Sequence, residues 1–144
     1  LVLDEQNSYL LVQKTHFGDH QWGFPGGGSD KVESPEDTVR RELKEELGST
    51  EFKILYKSPI KIKFDWPKKD QEMEFKKHNK WFRGQEKDWF VVEFTGNKSD
   101  LQLQKEEIKS TKWVSYDQLE KHLVFEGQWE NVKGVIEDYN KSNS

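Results

Sequence analysis

The stretch from Gly27 to Gly48, GGSDKVESPEDTVRRELKEELG, sets how the rest of the chain is read. Ser34 is a favoured helix N-cap, and Pro35 falls at the first helical position, where its missing N–H is not needed. Asp37 stands at the third position, a capping-box variant with Asp in place of Glu. Glu36 and Asp37 also suit the positive end of the helix dipole. Val39, Leu43 and Leu47 recur every four residues and form an apolar stripe, and Gly48 follows as a C-terminal stop. The pattern predicts a helix from Pro35 to Leu47. On it Glu42, Glu45 and Glu46 lie three and four residues apart, on one face and away from the stripe.

Like charges at that spacing repel, so helix stability gives no reason to choose them. A hard divalent cation reverses the sign of the cost, because it takes oxygen ligands from carboxylates. The reading from residues alone is a metal-dependent hydrolase acting on a polyphosphate. An ordinary solvated acidic helix accounts for Glu36 and Lys44. It does not account for three carboxylates on one face behind the glycine run 26–28, whose backbone can approach a phosphate or a metal closely.

At 144 residues the chain has the length of one domain, and 1–139 is read as that domain with a frayed tail over 140–144. Hydrophobic residues make up only 32%, yet there are 9 Phe, 6 Trp and 4 Tyr, which predicts an aromatic-rich core and cleft. With no cysteine, disulfide and thiolate chemistry are excluded, in keeping with a cytoplasmic location. No apolar run approaches membrane-spanning length, so no membrane partner is expected. Leu1 stands in mid-strand, so residues are expected to precede it in the natural protein. Residues 57–87 hold ten Lys and Arg against five Asp and Glu, a local +5 within a net charge of −4. A basic segment beside an acidic metal site suits a polyanionic substrate.

In chain order, 1–3 and 9–13 read as strands around a polar turn, and 16–21 as a loop. Segments 51–56 and 60–64 read as two strands interrupted by Pro59, followed by a lysine-rich loop over 65–80. Residues 81–83 and 89–95 read as strands, the second apolar enough to be central. A turn at 96–99 and a short strand at 101–103 follow. Then come a loop at 106–110 and a last strand at 112–114. Helices are predicted over 116–122 and 128–139, the latter with Trp129, Val132, Val135, Ile136 and Tyr139 on its apolar face.

The acidic stretch resembles the Nudix box position by position. Gly27, Glu33, Arg41-Glu42-Leu43, Glu45-Glu46 and Gly48 match; only the final aliphatic position departs, as Ser49. The resemblance implies an α/β fold, the Nudix α/β/α sandwich with a mixed sheet. A narrower resemblance, to bacterial RNA pyrophosphohydrolases and asymmetric diadenosine-tetraphosphate hydrolases, rests on further segments. His16-Phe17-Gly18-Asp19-His20-Gln21-Trp22-Gly23-Phe24-Pro25 matches R-F-G-x-H-x-W-x-F-P, with His16 in place of Arg. Phe64-Asp65-Trp66-Pro67-Lys68 is similar to Y-x-x-P-K, and Gly84-Gln85-Glu86-Lys87-Asp88-Trp89-Phe90 matches G-Q-x-x-x-W-F. Glu107-Ile108, six residues before Trp113, fits an E-F segment that supplies a further carboxylate. Phe125 matches a base-stacking Phe, although the lysine that follows it in the subgroup is Glu126 here.

What the resemblance implies is specific. Glu42, Glu45, Glu46 and Glu107, with a backbone oxygen at Gly27, would hold Mg²⁺, or Mn²⁺ in its place. Glu46 or Glu107 would be the base, with Glu45 beside them in catalysis. Glu33 and Arg41 would buttress the ligands. Phe125, Gln85, Lys63, Lys68 and Arg83 would contact substrate. The substrate would be an RNA 5′ end or a dinucleoside polyphosphate, with no DNA partner and a monomeric enzyme expected. A catalytically silent binding module would have no need of the full glutamate set. A house-cleaning nucleoside triphosphatase would lack the hallmark at 84–90.

Overall fold

The computed structural model describes residues 1–25, 33–65 and 84–143. The elements are β1 (Val2–Leu3), β2 (Tyr9–Lys14), α1 (Pro35–Leu47), β3 (Phe52–Asp65), β4 (Gly84–Phe94), a 3₁₀ turn (Lys98–Asp100), β5 (Ile108–Val114), α2 (Tyr116–His122) and α3 (Gln128–Ser142). The strands form one five-stranded sheet in the order β3-β4-β1-β2-β5. β1 runs parallel to β4, and the other pairings are antiparallel, so the sheet is mixed.

Alternation along the strands divides the core in two. Val2, Leu10, Val12, Phe90 and Val92 face α1, meeting Leu43 and Leu47. Leu1, Leu3, Tyr9, Leu11 and Val91 face the opposite way and meet Leu119 and Leu123, then Val132, Val135 and Ile136 of α3. A sheet with both faces covered is the α/β/α layering expected from the sequence. The apolar run of β4 is interior for the same reason: Phe90, Val91 and Val92 are each buried, on alternate faces.

Local chemistry shapes α1 as its sequence predicts. Ser34 Oγ accepts from the Asp37 N–H at 3.2 Å, and Gly48 closes the helix at φ +69°. A Cβ on Gly48 would also lie 2.8 Å from the Gln102 carbonyl oxygen, so glycine is needed there for space as well as for φ.

Several expectations change. Pro59 does not split the strand: β3 runs unbroken past it, with a register shift between Lys57 and Lys61. β3 is an edge strand, where a missing N–H and a bulge cost little. Residues 101–104 form no strand. The Gln102 and Gln104 N–H groups instead donate to Leu47 O and Glu46 O, at 2.8 and 3.0 Å, satisfying carbonyls at the end of α1. β5 begins at Ile108, inside the predicted loop, and α3 continues to Ser142. The glycine turn expected at 26–28, the loop at 66–80 and the strand at 81–83 lie outside the described residues. Among the described residues no helix is long and apolar enough to cross a membrane.

Candidate active site

Arg41 organises the acidic face of α1. Its Nε donates to both carboxylate oxygens of Glu33, at 2.9 and 2.8 Å, and its Nη1 donates to Glu42 at 3.1 Å and to Glu45 at 3.2 Å. One planar guanidinium therefore spans three carboxylates, which a point-charge lysine could not do. Thr38, buried on α1, holds its hydroxyl 3.1 Å from Ser34 O and at 3.5 Å from Glu33 Oε1, steadying the residue that Arg41 grips.

The three box carboxylates sit in different surroundings. Glu45 is exposed, Glu42 is largely covered, and Glu46 is 3% exposed at its side chain. Helical spacing alone puts Glu46 on an open acidic face. In the fold Glu46 is buried, and Lys14 Nζ, at the end of β2, approaches Glu46 Oε1 at 4.0 Å. Burial pushes the Glu42 carboxyl above the ordinary glutamate range; Arg41 pulls it back, and the charges of Glu45 and Glu107 add to the rise.

Glu107 arrives from the other side. The 102–104 segment docks on the end of α1, Glu107 N donates to Gln104 O at 3.0 Å, and Thr15 N donates to Glu107 O at 2.9 Å. These bonds bring the Glu107 backbone beside Thr15, the residue after β2, and its charge adds to the upward shift of Glu42. Among the described residues no three acidic or histidine side chains are drawn into one cage. Glu42 and Glu45 are held through Arg41 instead.

The donor set fits a hard divalent cation. Among the described residues its oxygens are carboxylate, and Glu42, raised first by burial and then by the charges of Glu45 and Glu107, lies where a cation's charge is favourable. Gly27, Lys68 and Arg83 lie outside the described residues. Lys63 and Gln85 lie on paired strands, Lys63 opposite Glu86 and Gln85 opposite Phe64.

Phe125 lies between α2 and α3 and is 37% exposed. Its ring meets Phe17 edge-on, with centroids 5.1 Å apart. Phe17 belongs to the loop that follows β2, and two residues that the sequence motifs do not single out bear on this region. Gln13 is buried and donates from Nε2 to Gly18 O and Asp19 O, at 3.0 and 2.9 Å, fastening that loop. Lys14 reaches Glu46. Strand parity carries a signal for Lys14: it shares the side of Leu10 and Val12, so a charged residue is sent to the apolar side of the sheet.

A NUDIX domain model matches residues 1–135 of the 144. The chain belongs to the Nudix family of hydrolases. Among relatives of this Nudix chain, the RNA pyrophosphohydrolase of Caulobacter vibrioides is 31% identical over 130 residues, covering 87% of the chain and 74% of the relative. Nudix hydrolase 27, chloroplastic, of Arabidopsis thaliana is 32% identical over 124 residues, covering 81% of the chain; the chain spans 53% of that protein's length. The Nudix fold is shared with the C. elegans Ap4A hydrolase binary complex, at a TM-score of 0.66 and 16% identity, covering 98% of this chain and 92% of that one.

Proposed function

We propose that this Nudix chain is an RNA pyrophosphohydrolase, converting a 5′-triphosphate or 5′-diphosphate end to a 5′-monophosphate with Mg²⁺, or Mn²⁺ in its place. The observation that carries the reading is the Arg41-bridged set of Glu33, Glu42 and Glu45 on α1, with Glu46 beside it and Glu107 brought in by the 102–107 segment. Glu42, Glu45, Glu46 and Glu107, with a backbone oxygen at Gly27, would hold the cation. When bound, it supplies charge neutralisation and a more acidic water.

The remaining steps fall to the chain. Water attacks one phosphorus of the linkage, the P–O–P bond opens, and the leaving phosphate departs with the bridging oxygen. A carboxylate oxygen of Glu46 or Glu107 accepts the proton that the water releases. Arg41 keeps the carboxylates of Glu33, Glu42 and Glu45 in fixed relation, which matters because in-line phosphoryl transfer depends on positioning. Phe125 would stack on a base, Lys63, Lys68 and Arg83 would contact the phosphate chain, and Gln85 would contact substrate.

The second reading is a diadenosine-tetraphosphate hydrolase yielding ATP and AMP. The base-tolerant stacking surface at Phe125 serves it equally well. The deciding experiment compares turnover on triphosphorylated RNA and on diadenosine tetraphosphate at equal concentration with Mg²⁺. Faster release of 5′-monophosphorylated RNA is expected. Preference for the dinucleotide installs the second reading, and no turnover of either refutes both.

A further inference from the structure

We infer that Lys14 is a positioning residue of the carboxylate site: its ammonium is a counter-ion of buried Glu46, and a divalent cation binds there in competition with it. Lys14 is the last residue of β2, on the strand face whose Leu10 and Val12 pack beneath α1. Its side chain is 23% exposed, and Nζ lies 4.0 Å from an oxygen of a carboxylate that is itself 3% exposed. Taking two charges out of water is costly, and the cost is tolerated when they face each other.

The arrangement differs from that of Arg41. Arg41 ties three carboxylates together by directed hydrogen bonds, so its shape is what counts. The Lys14 contact is a longer point-charge attraction, so its charge is what counts. Among the described residues Arg41 pairs with Glu33, Glu42 and Glu45, and Lys14 pairs with Glu46. A dication arriving at Glu46 meets repulsion from the nearby ammonium, and that repulsion bears on how readily the site loads.

The inference rests on the cation reading of the site, and one titration separates the two. Mn²⁺ binding is measured by calorimetry on the parent chain, on Lys14→Gln and on Lys14→Arg, with melting curves in chelator and in saturating Mn²⁺. Lys14→Gln removes the competitor and should tighten the Mn²⁺ Kd by about five- to ten-fold, within the usual range of site–site coupling. It should melt below the parent in chelator, with the gap closing in Mn²⁺, because the metal replaces the lost charge. Lys14→Arg keeps the charge and should hold the parent Kd within about two-fold. An unchanged or weaker Kd for Lys14→Gln overturns the inference and leaves the cation site standing. So does a melting gap of equal size with and without Mn²⁺. Absence of Mn²⁺ binding by the parent overturns both.

Discussion

Replacing Phe125 with alanine tests whether this face of the molecule holds a nucleobase. The ring is 37% exposed, and its aromatic partner is Phe17, met edge-on at 5.1 Å and 61°. The backbone beneath it is fastened independently: Phe125 N donates to Gln128 Oε1 at 3.2 Å, and Gln128 Nε2 donates to Trp22 O at 2.9 Å. Truncation should therefore leave the loop in place. The stability loss includes one edge-on aromatic pair, about 0.5–1.5 kcal/mol beyond the apolar area that the side chain buries. For a chain of this length that lowers Tm by about 2–4 °C per kcal/mol. Base stacking is worth about 1–3 kcal/mol, so nucleotide affinity should fall by about five- to 150-fold. Inorganic pyrophosphate has no base, and its affinity should stay within about two-fold of the parent, given the usual size of remote effects. Calorimetric titrations with ADP and with pyrophosphate, beside a melting curve, give all three quantities. Equal losses for both ligands with a large fall in Tm would mean that Phe125 supports the fold, and the base-stacking assignment would be abandoned.

Glu46→Gln should reduce kcat by about 10²–10⁴-fold if Glu46 is the base, and Glu45→Gln should lower activity with the fold intact by circular dichroism. Full turnover in both variants, or full activity after exhaustive chelation, would refute the mechanism. Arg41→Lys keeps the charge and loses the fork that spans three carboxylates, so metal affinity should drop by about 10–100-fold. A parent-like Mn²⁺ titration would show that the guanidinium geometry is dispensable. Glu42 tests pH dependence. Burial first, and then Glu45 and Glu107, raise its folded-state pKa despite Arg41, so the folded protein keeps this proton to higher pH than the unfolded chain. Its contribution to stability is complete below the unfolded glutamate value and is lost as pH rises through the raised folded value. In chelator, Glu42→Gln should therefore lose less Tm than the parent across that rise; parallel curves from pH 4 to 8 would contradict the burial argument.

Short-range chemistry makes α1 legible from the amino-acid sequence. A cap, a proline, a four-residue apolar period and a terminal glycine all act within one helix, and they give its limits at Pro35 and Leu47. The alternating strands and the two helices after β5 are readable for the same reason, whereas the two-faced layering is implied by the family resemblance. The strand predicted at 101–103 fails because its N–H groups find partners far along the chain, in the carbonyls that end α1. The break predicted at Pro59 fails because a proline is tolerated at a sheet edge, and edge position is a property of the whole sheet.

The site divides along the same line. Spacing puts Glu42, Glu45 and Glu46 on one face of α1, and the family pattern names Arg41 and Glu33. Only the folded chain makes those carboxylates unequal. β2 packs against α1, Glu46 is buried in the folded chain, and the last residue of β2 brings an ammonium to 4.0 Å from its carboxylate. Glu107, far beyond Glu46 in the chain, reaches the same neighbourhood only because the 102–104 backbone caps the helix on which Glu46 sits. Periodicity along the chain fixes which way a side chain points on its own element. What it meets there depends on the elements packed against it, and those come from distant parts of the sequence.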